Sequence, residues 1–497
     1  MKINKYLILG LLIALLSAAA LFAATPTVSD PQNLLQVRSR ATPENLRVVF
    51  DFTYTPEYTV SKTKEAIDII VKNSGASSKV NIYEEINDPV LAYVEITKVN
   101  DDLKIHIPLY YPVENYLFRL DGPPRLVIDL GREFKKVVQT REIQKGLELW
   151  DIKIGNAAGI ANAQAVLVDQ RYNIVFPALP PKPNKSFVES FTDIFMPWGK
   201  REEKPFYIDT VSQIAKKHNA QAAINGTFFA SNGLPLGILM INGELISYPV
   251  YERTALIFTD DGQTYIDNLM MKSFFHTQQG ILYEITGINT QRPENGVTIF
   301  TPVFGKNTNT KKNGLEITVE DGRVKRITLG SSDIPESGYV LSATGAGIEY
   351  LANDIKVGEK IDVTLRLVPY NENLKSPLLH LLGGGPRLVK KGTSYISKHE
   401  EKFKQDVANG RRARSAVGIT KDQKLLLVTV DQIKRSTQSV GANLEELANL
   451  MIFLGAIDAM NLDGGGSSTL VVNDQVINHP SGGSERYVSN ALIVKPK

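Results

Sequence analysis

Between residues 34 and 135 apolar side chains alternate or run together in six short segments, and that rhythm specifies strands. The segments are NLRVVFDFTY, AIDIIVKN, LAYVEITKV, DLKIHIPLYY, ENYLFRL and RLVIDLG, separated by Asn, Asp, Gly and Pro. A period of two sends successive side chains to opposite faces of a pleated strand, one face for a core and one for water. Six such strands at this spacing predict a small all-β sandwich domain over residues 30–135. The segment LDGPPRLVIDLG (Leu120–Gly131) closes it, and the charged REFKKVVQTREIQKG that follows reads as a linker at 136–145.

From about residue 146 the pattern mixes helices and strands, so an α+β mixed domain is expected over 146–497. TVSQIAKKHNA places Thr210 as an N-cap with Gln213 three residues on. NLEELANLMIFLG repeats the relation with Asn443 and Glu446, and Gly455 supplies the stop. Similar strings follow each helix: AQAAIN and AIDAMN, then MINGELIS and VVNDQVIN, then ERTALIF and ERYVSNALIV. This order reads as an internal duplication that sets Asn225 and Asn461 at equivalent strand tips, expected to converge at a cleft.

A chain of 497 residues with 43% hydrophobic and 22% charged residues has material for two or three globular domains. Its net charge is only +3, and Lys2 and Lys5 near the start supply two of those charges. A near-neutral body gives no general electrostatic reason to bind nucleic acid. MKINKY followed by LILGLLIALLSAAALF, with small residues at Ala20–Ala24, reads as a secretory signal over 1–24. An uncleaved membrane anchor is the other reading of that run. The sequence contains no cysteine, which excludes disulfides, thiolate chemistry, Cys-ligated metals and a lipoprotein anchor. Export without cysteine points to a bacterial envelope, periplasmic or extracellular protein. The six histidines show no metal spacing, and neither His-Glu-x-x-His nor Gly-x-Ser-x-Gly occurs.

Two triple-glycine segments carry the strongest chemical signal. In NLDGGGSST a strand reaching Leu462 delivers Asp463 to a sheet edge, and Gly464, Gly465 and Gly466 let the backbone approach a ligand closely. Their N–H groups, with the hydroxyls of Ser467 and Ser468, form a candidate anion-binding hollow. A strand resumes at once and no Gly-Lys-Ser/Thr follows, so this is not a P-loop. In LLGGGPRLVKKG, Gly384 and Gly385 repeat the arrangement beside Arg387. In RRARSAVGIT, Arg414 opens an apolar strand and is the arginine expected to point into the site. AAINGTFF adds Asn225, Gly226 and two aromatic rings, one for the core and one suited to a sugar face.

The β-module resembles the AMIN domain of bacterial envelope proteins, on its PPRLVIDL-type closing strand. That resemblance implies binding to cell-wall polymer. Residues 146–497 resemble the phosphodiester glycosidase family, on AAINGTFF, ITGINTQRPENGVTIFTPVFG, GGGPRLVKKG, RSAVGIT, VTVDQIKRSTQSVGANLEELANLMIFLGA and NLDGGGSST in that order. Three departures stand out. Ser415 replaces a frequent Thr, Thr227 replaces a frequent Gly, and VTVDQIK lacks the usual Asp-Gly-Arg, which loosens any role for Asp431.

The resemblance implies a hydrolase that cuts the anomeric C–O bond of a sugar-1-phosphodiester in envelope glycans. A phosphate leaving group is a weak base, so the paired carboxylates of ordinary glycosidases are less necessary. Arg414 and the glycine hollows are expected to take the phosphate, with Asp463 at the anomeric carbon as nucleophile or base. Asn225, Asn289 and Asn461 are expected to hold sugar hydroxyls. No cofactor is expected; a divalent cation on Asp463, Asp431 and carbonyl oxygens is the one alternative. Two other classes fit the same residues: a non-catalytic wall-polysaccharide binder, and a phosphodiesterase that breaks P–O.

Overall fold

The structure, a computed structural model, describes residues 32–497 apart from 43–44, 64, 89, 111, 133, 157, 182–205, 372–373 and 434–438. The expected export signal lies outside the described residues. Contacts divide the chain into two units that part between Phe134 and Lys135.

The first unit is all β, with two five-stranded sheets. All six expected strands form, among them Asn45–Phe52, Ala66–Val71, Asp102–Pro108 and Pro124–Gly131. Their alternation is the cause: Val48, Phe50, Ile67, Ile69, Ile105 and Ile128 are all fully buried. Four further strands carry no such signal. Tyr58–Lys62 and Tyr83–Glu85 are edge strands with mostly exposed side chains, and Ser74–Ala76 is a three-residue edge. An edge with no buried face needs no apolar period. Gln32–Ala41, the fourth, is mostly polar and pairs with Asn45–Phe52.

The second unit corrects the expected α+β class. About 51% of the described residues are strand and 8% helix, and the region after 135 is built from four sheets. Both capped helices are present, as Val211–Lys217 and Leu444–Phe453. They were strong local signals among long antiparallel strands such as Thr264–His276, which pairs with Asp362–Pro369. The segment read as a linker is itself a strand, Phe134–Gln144, at the edge of an eight-stranded sheet.

Two sheets position the site. The eight-stranded sheet runs 134–144, 147–156, 159–168, 425–430, 414–420, 456–461, 387–390, 393–394. Its centre is buried on both faces. Val417, Ile419, Leu425 and Leu427 join a core shared with the other sheets, whereas Ala416, Leu426 and Val428 pack with Leu447 and Met451 of the Leu444–Phe453 helix. The five-stranded sheet runs 173–178, 491–496, 222–225, 470–472, 475–476. The order helix, strand, hairpin, strand recurs as the repeat suggested, but the pairing is crossed. Strand 222–225 is flanked by 470–472 and 491–496 from the later segment, while 254–259 joins a different sheet beside 378–383.

Candidate active site

The tips of strands Ala222–Asn225 and Ala456–Asn461 meet through the backbone. Asp463 N donates to Gly226 O at 3.2 Å, and Leu462 N donates to Ser415 O at 2.8 Å. Asn225 ties the junction together and is fully buried. Its Nδ2 donates to Asp463 O at 2.7 Å, while its Oδ1 accepts from Ser415 Oγ at 2.7 Å and Thr469 N at 3.2 Å. One amide thus fixes three segments far apart in sequence. Fully buried and bonded in this way, it acts as a positioning group.

Asp463 keeps partial solvent contact, and the chain turns away from it through a single 3-10 turn, Gly465–Ser467. Gly465 has φ +61°, in the left-handed region that favours glycine, and open space lies above it. The Asp463 carboxylate accepts from Gly464 N at 2.9 Å and from the Ser467 hydroxyl. Dense protein around it pushes its pKa up to about 6, against the opposing pull of Ser467, the Arg486 charge and Gly464 N–H.

The hollow expected in this loop is largely filled by the protein itself. Gly465 N donates to Ala413 O at 2.7 Å, Ser467 N to Gly464 O and Ser468 N to Gly465 O, both at 3.2 Å. The second cluster is a crossing point rather than a ligand loop. Gly384 N and Gly385 N donate to Thr254 O and Asn461 O, and a side chain at Gly384 would stand 2.7 Å from Asn461 O.

Arg414 is near Asp463 in space, with its Cδ 3.9 Å from where a Gly464 side chain would begin. The residue is only 2% exposed and its guanidinium faces three carbonyls: Nε to Ala442 O at 3.1 Å, Nη1 to Val407 O at 3.1 Å, Nη2 to Gly410 O at 3.0 Å. Burial lowers its pKa to about 10. This arginine holds the loops beneath the glycine turn. Asn289 belongs to another sheet and directs its amide to Ile246 O and Thr301. Asn461 Nδ2 donates to Gly385 O and Leu462 O.

Four buried polar atoms around this junction, Thr227 Oγ1, Asn461 Oδ1, Ser468 Oγ and Thr469 Oγ1, find no partner among the described residues. Orphaned polar atoms are rare in native cores, so their concentration here makes the junction a candidate functional centre. Asp431 is buried beside it, accepting from His479 N at 2.9 Å and from Asn478 Nδ2 at 3.4 Å. Asn478 also donates to Ser468 O. Asp431 and His479 line both of two neighbouring cavities of about 610 and 320 Å³. Among the described residues no group of three His, Asp or Glu is placed to hold a metal.

Sequence reasoning missed two residues. Asn490 accepts from Thr227 N at 3.0 Å, and a side chain at Gly226 would collide with its Oδ1. Arg486 is exposed and lies over the Phe229 ring at 5.3 Å, with Nη1 3.4 Å from Ser467 Oγ. Both sit in ERYVSNALIV, read only as a repeat marker.

The sequence model of the phosphodiester glycosidase family matches residues 313–495, which include Arg414, Asp431, Asp463 and Arg486. Over those residues the chain is similar to phosphodiester glycosidases. Curated relatives are the N-acetylglucosamine-1-phosphodiester alpha-N-acetylglucosaminidases of Bos taurus, 33% identical over 116 residues, and Homo sapiens, 32% over 117. Those alignments cover 22% of this chain and 21% and 22% of the relatives, so the chain spans about a fifth of their length. An uncharacterized SPbeta prophage-derived protein of Bacillus subtilis is 38% identical over 86 residues, covering 17% of this chain and 13% of that protein. Two solved structures share the fold. A hypothetical protein from Synechocystis has TM-score 0.62 at 23% identity, covering 94% of this chain and 81% of that one. A putative exported protein from Burkholderia pseudomallei has TM-score 0.55 at 18% identity, covering 95% and 98%.

Proposed function

We propose that this chain is a phosphodiester glycosidase, an exported hydrolase acting on a sugar-1-phosphodiester of envelope glycans, with the AMIN-like β unit holding wall polymer. The observation that carries the reading is Asp463: a partly open carboxylate at the junction of two sheets, on a glycine turn, inside the family's matched region. Water adds its oxygen to the anomeric carbon, and the C–O bond breaks with its electron pair passing to the phosphate oxygen. The departing phosphodiester leaves as a phosphate monoester, and the proton from water goes to solvent. Asp463 supplies the negative charge at the anomeric centre, as nucleophile or as the base for water. A carboxyl lifted to about 6 suits a group that must shed its proton near neutrality. Asn225, Asn490 and Arg414 hold the junction in shape.

Release of reducing sugar from a panel of glycosyl-1-phosphodiesters in oxygen-18 water tests the reading. Label in the sugar supports C–O cleavage. Label in the phosphate makes the protein a phosphodiesterase, and glycan binding without release makes it a binder. Asp463→Ala should lower turnover at least about a hundredfold.

A further inference from the structure

Phosphate departure needs a cation, and the arginine expected for that task is held elsewhere. Arg414 is buried under three carbonyls, and most N–H groups of the glycine turn donate within the protein. Arg486 has the opposite surroundings. It is exposed, and among the described residues no carboxylate lies within ion-pair distance of it. Its guanidinium rests over Phe229 and reaches Ser467 Oγ, the hydroxyl that also binds the Asp463 carboxylate. Its Cδ lies 3.4 Å from where a Gly466 side chain would begin, so the stem crosses the turn closely. Gly465 beneath is open. An aromatic ring holds the planar fork in place while leaving its N–H edges for bidentate contact with an anion.

We propose that Arg486, over the open glycine turn, is the group that receives the phosphate of the substrate. The inference rests on the reading that the substrate is a glycosyl phosphodiester. A phosphate there lies one hydroxyl away from Asp463, which places the sugar's anomeric carbon between the two groups. The positive charge offsets repulsion between phosphate and carboxylate and stabilises the oxygen that takes the electron pair.

The test compares wild type, Arg486→Ala and Arg486→Lys in the full chain. Each is assayed on a glycosyl-1-phosphodiester and on a 4-nitrophenyl glycoside of the same sugar, and titrated calorimetrically with inorganic phosphate. The expected result is a kcat/KM loss of at least about a hundredfold for Arg486→Ala on the phosphodiester. That loss should exceed the loss on the aryl glycoside by at least about tenfold, with partial recovery in Arg486→Lys and a matching loss of phosphate affinity. Equal losses on both substrates, unimpaired turnover, or phosphate binding that is absent in wild type or unchanged in Arg486→Ala overturns the proposal. Phosphate bound through Arg486 without turnover of any phosphodiester leaves the anion site standing and removes the proposed function instead. Because Arg486 is exposed, unchanged circular dichroism and melting temperature are expected of the variants.

Discussion

At the scale of single residues, Asp463 links chemistry to stability. Folding raises its pKa from 3.8 to about 6, so the folded chain holds that proton more tightly than the unfolded one. Ionising it as pH climbs from about 4 through 6 therefore removes stability. Asp463→Asn should be more stable than wild type at pH 7 by about 1–2 kcal/mol, a two-unit shift discounted for solvent contact. Denaturant midpoints at pH 7 and below pH 4 check this, since the advantage should vanish at the acid end. Wild-type turnover should fall below about pH 6 as the carboxylate is protonated. Arg414→Ala leaves three buried carbonyls without their donor, and should cost about 3 kcal/mol in urea unfolding. Arg414→Lys should not restore it, because an ammonium lacks the planar fork. The place of Asp463 between a strand end and a glycine turn was legible because a carboxylate before three glycines is an unusual string. The fate of Arg414 was not: an arginine opening a strand reads alike whether its partners are phosphate oxygens or carbonyl oxygens. Arg486 sits in a string whose local composition says nothing about the turn it crosses.

At the scale of elements, caps and alternation were legible. Asn443 and Glu446 form the reciprocal pair expected of them, with Glu446 N donating to Asn443 Oδ1 at 2.8 Å and Asn443 N to Glu446 Oε2 at 3.0 Å. Thr210 Oγ1 accepts from Gln213 N at 3.3 Å, which is one half of such a pair. Asn443→Ala should lower stability by about 1 kcal/mol, read from the urea midpoint. Little change in turnover is expected, because the helix supports the sheet from the face opposite the shared core. The class of the second unit was misjudged for a related reason. Helix caps are local and easy to see, whereas RSAVGIT and LLLVTV, buried on both faces, lose the alternation that announces a strand. Pairing between residues 222–225 and 470–496 depends on contacts remote in sequence, and no local pattern encodes it.

At the scale of the whole molecule, each unit has its own buried core. Ile105→Ala in the first unit should cost about 2–5 kcal/mol. Scanning calorimetry should show one transition lowered and the other unmoved, with turnover below both unchanged. Within the second unit, strand Ala491–Pro496 lies between Asn173–Ala178 and Ala222–Asn225. Those two earlier strands are joined only through a segment some 270 residues downstream of the second. A chain lacking that strand has no seam to hold Asn225 or to supply Asn490. A chain truncated before Ala491 should therefore release no sugar from the proposed substrate, which an assay of the truncated protein checks.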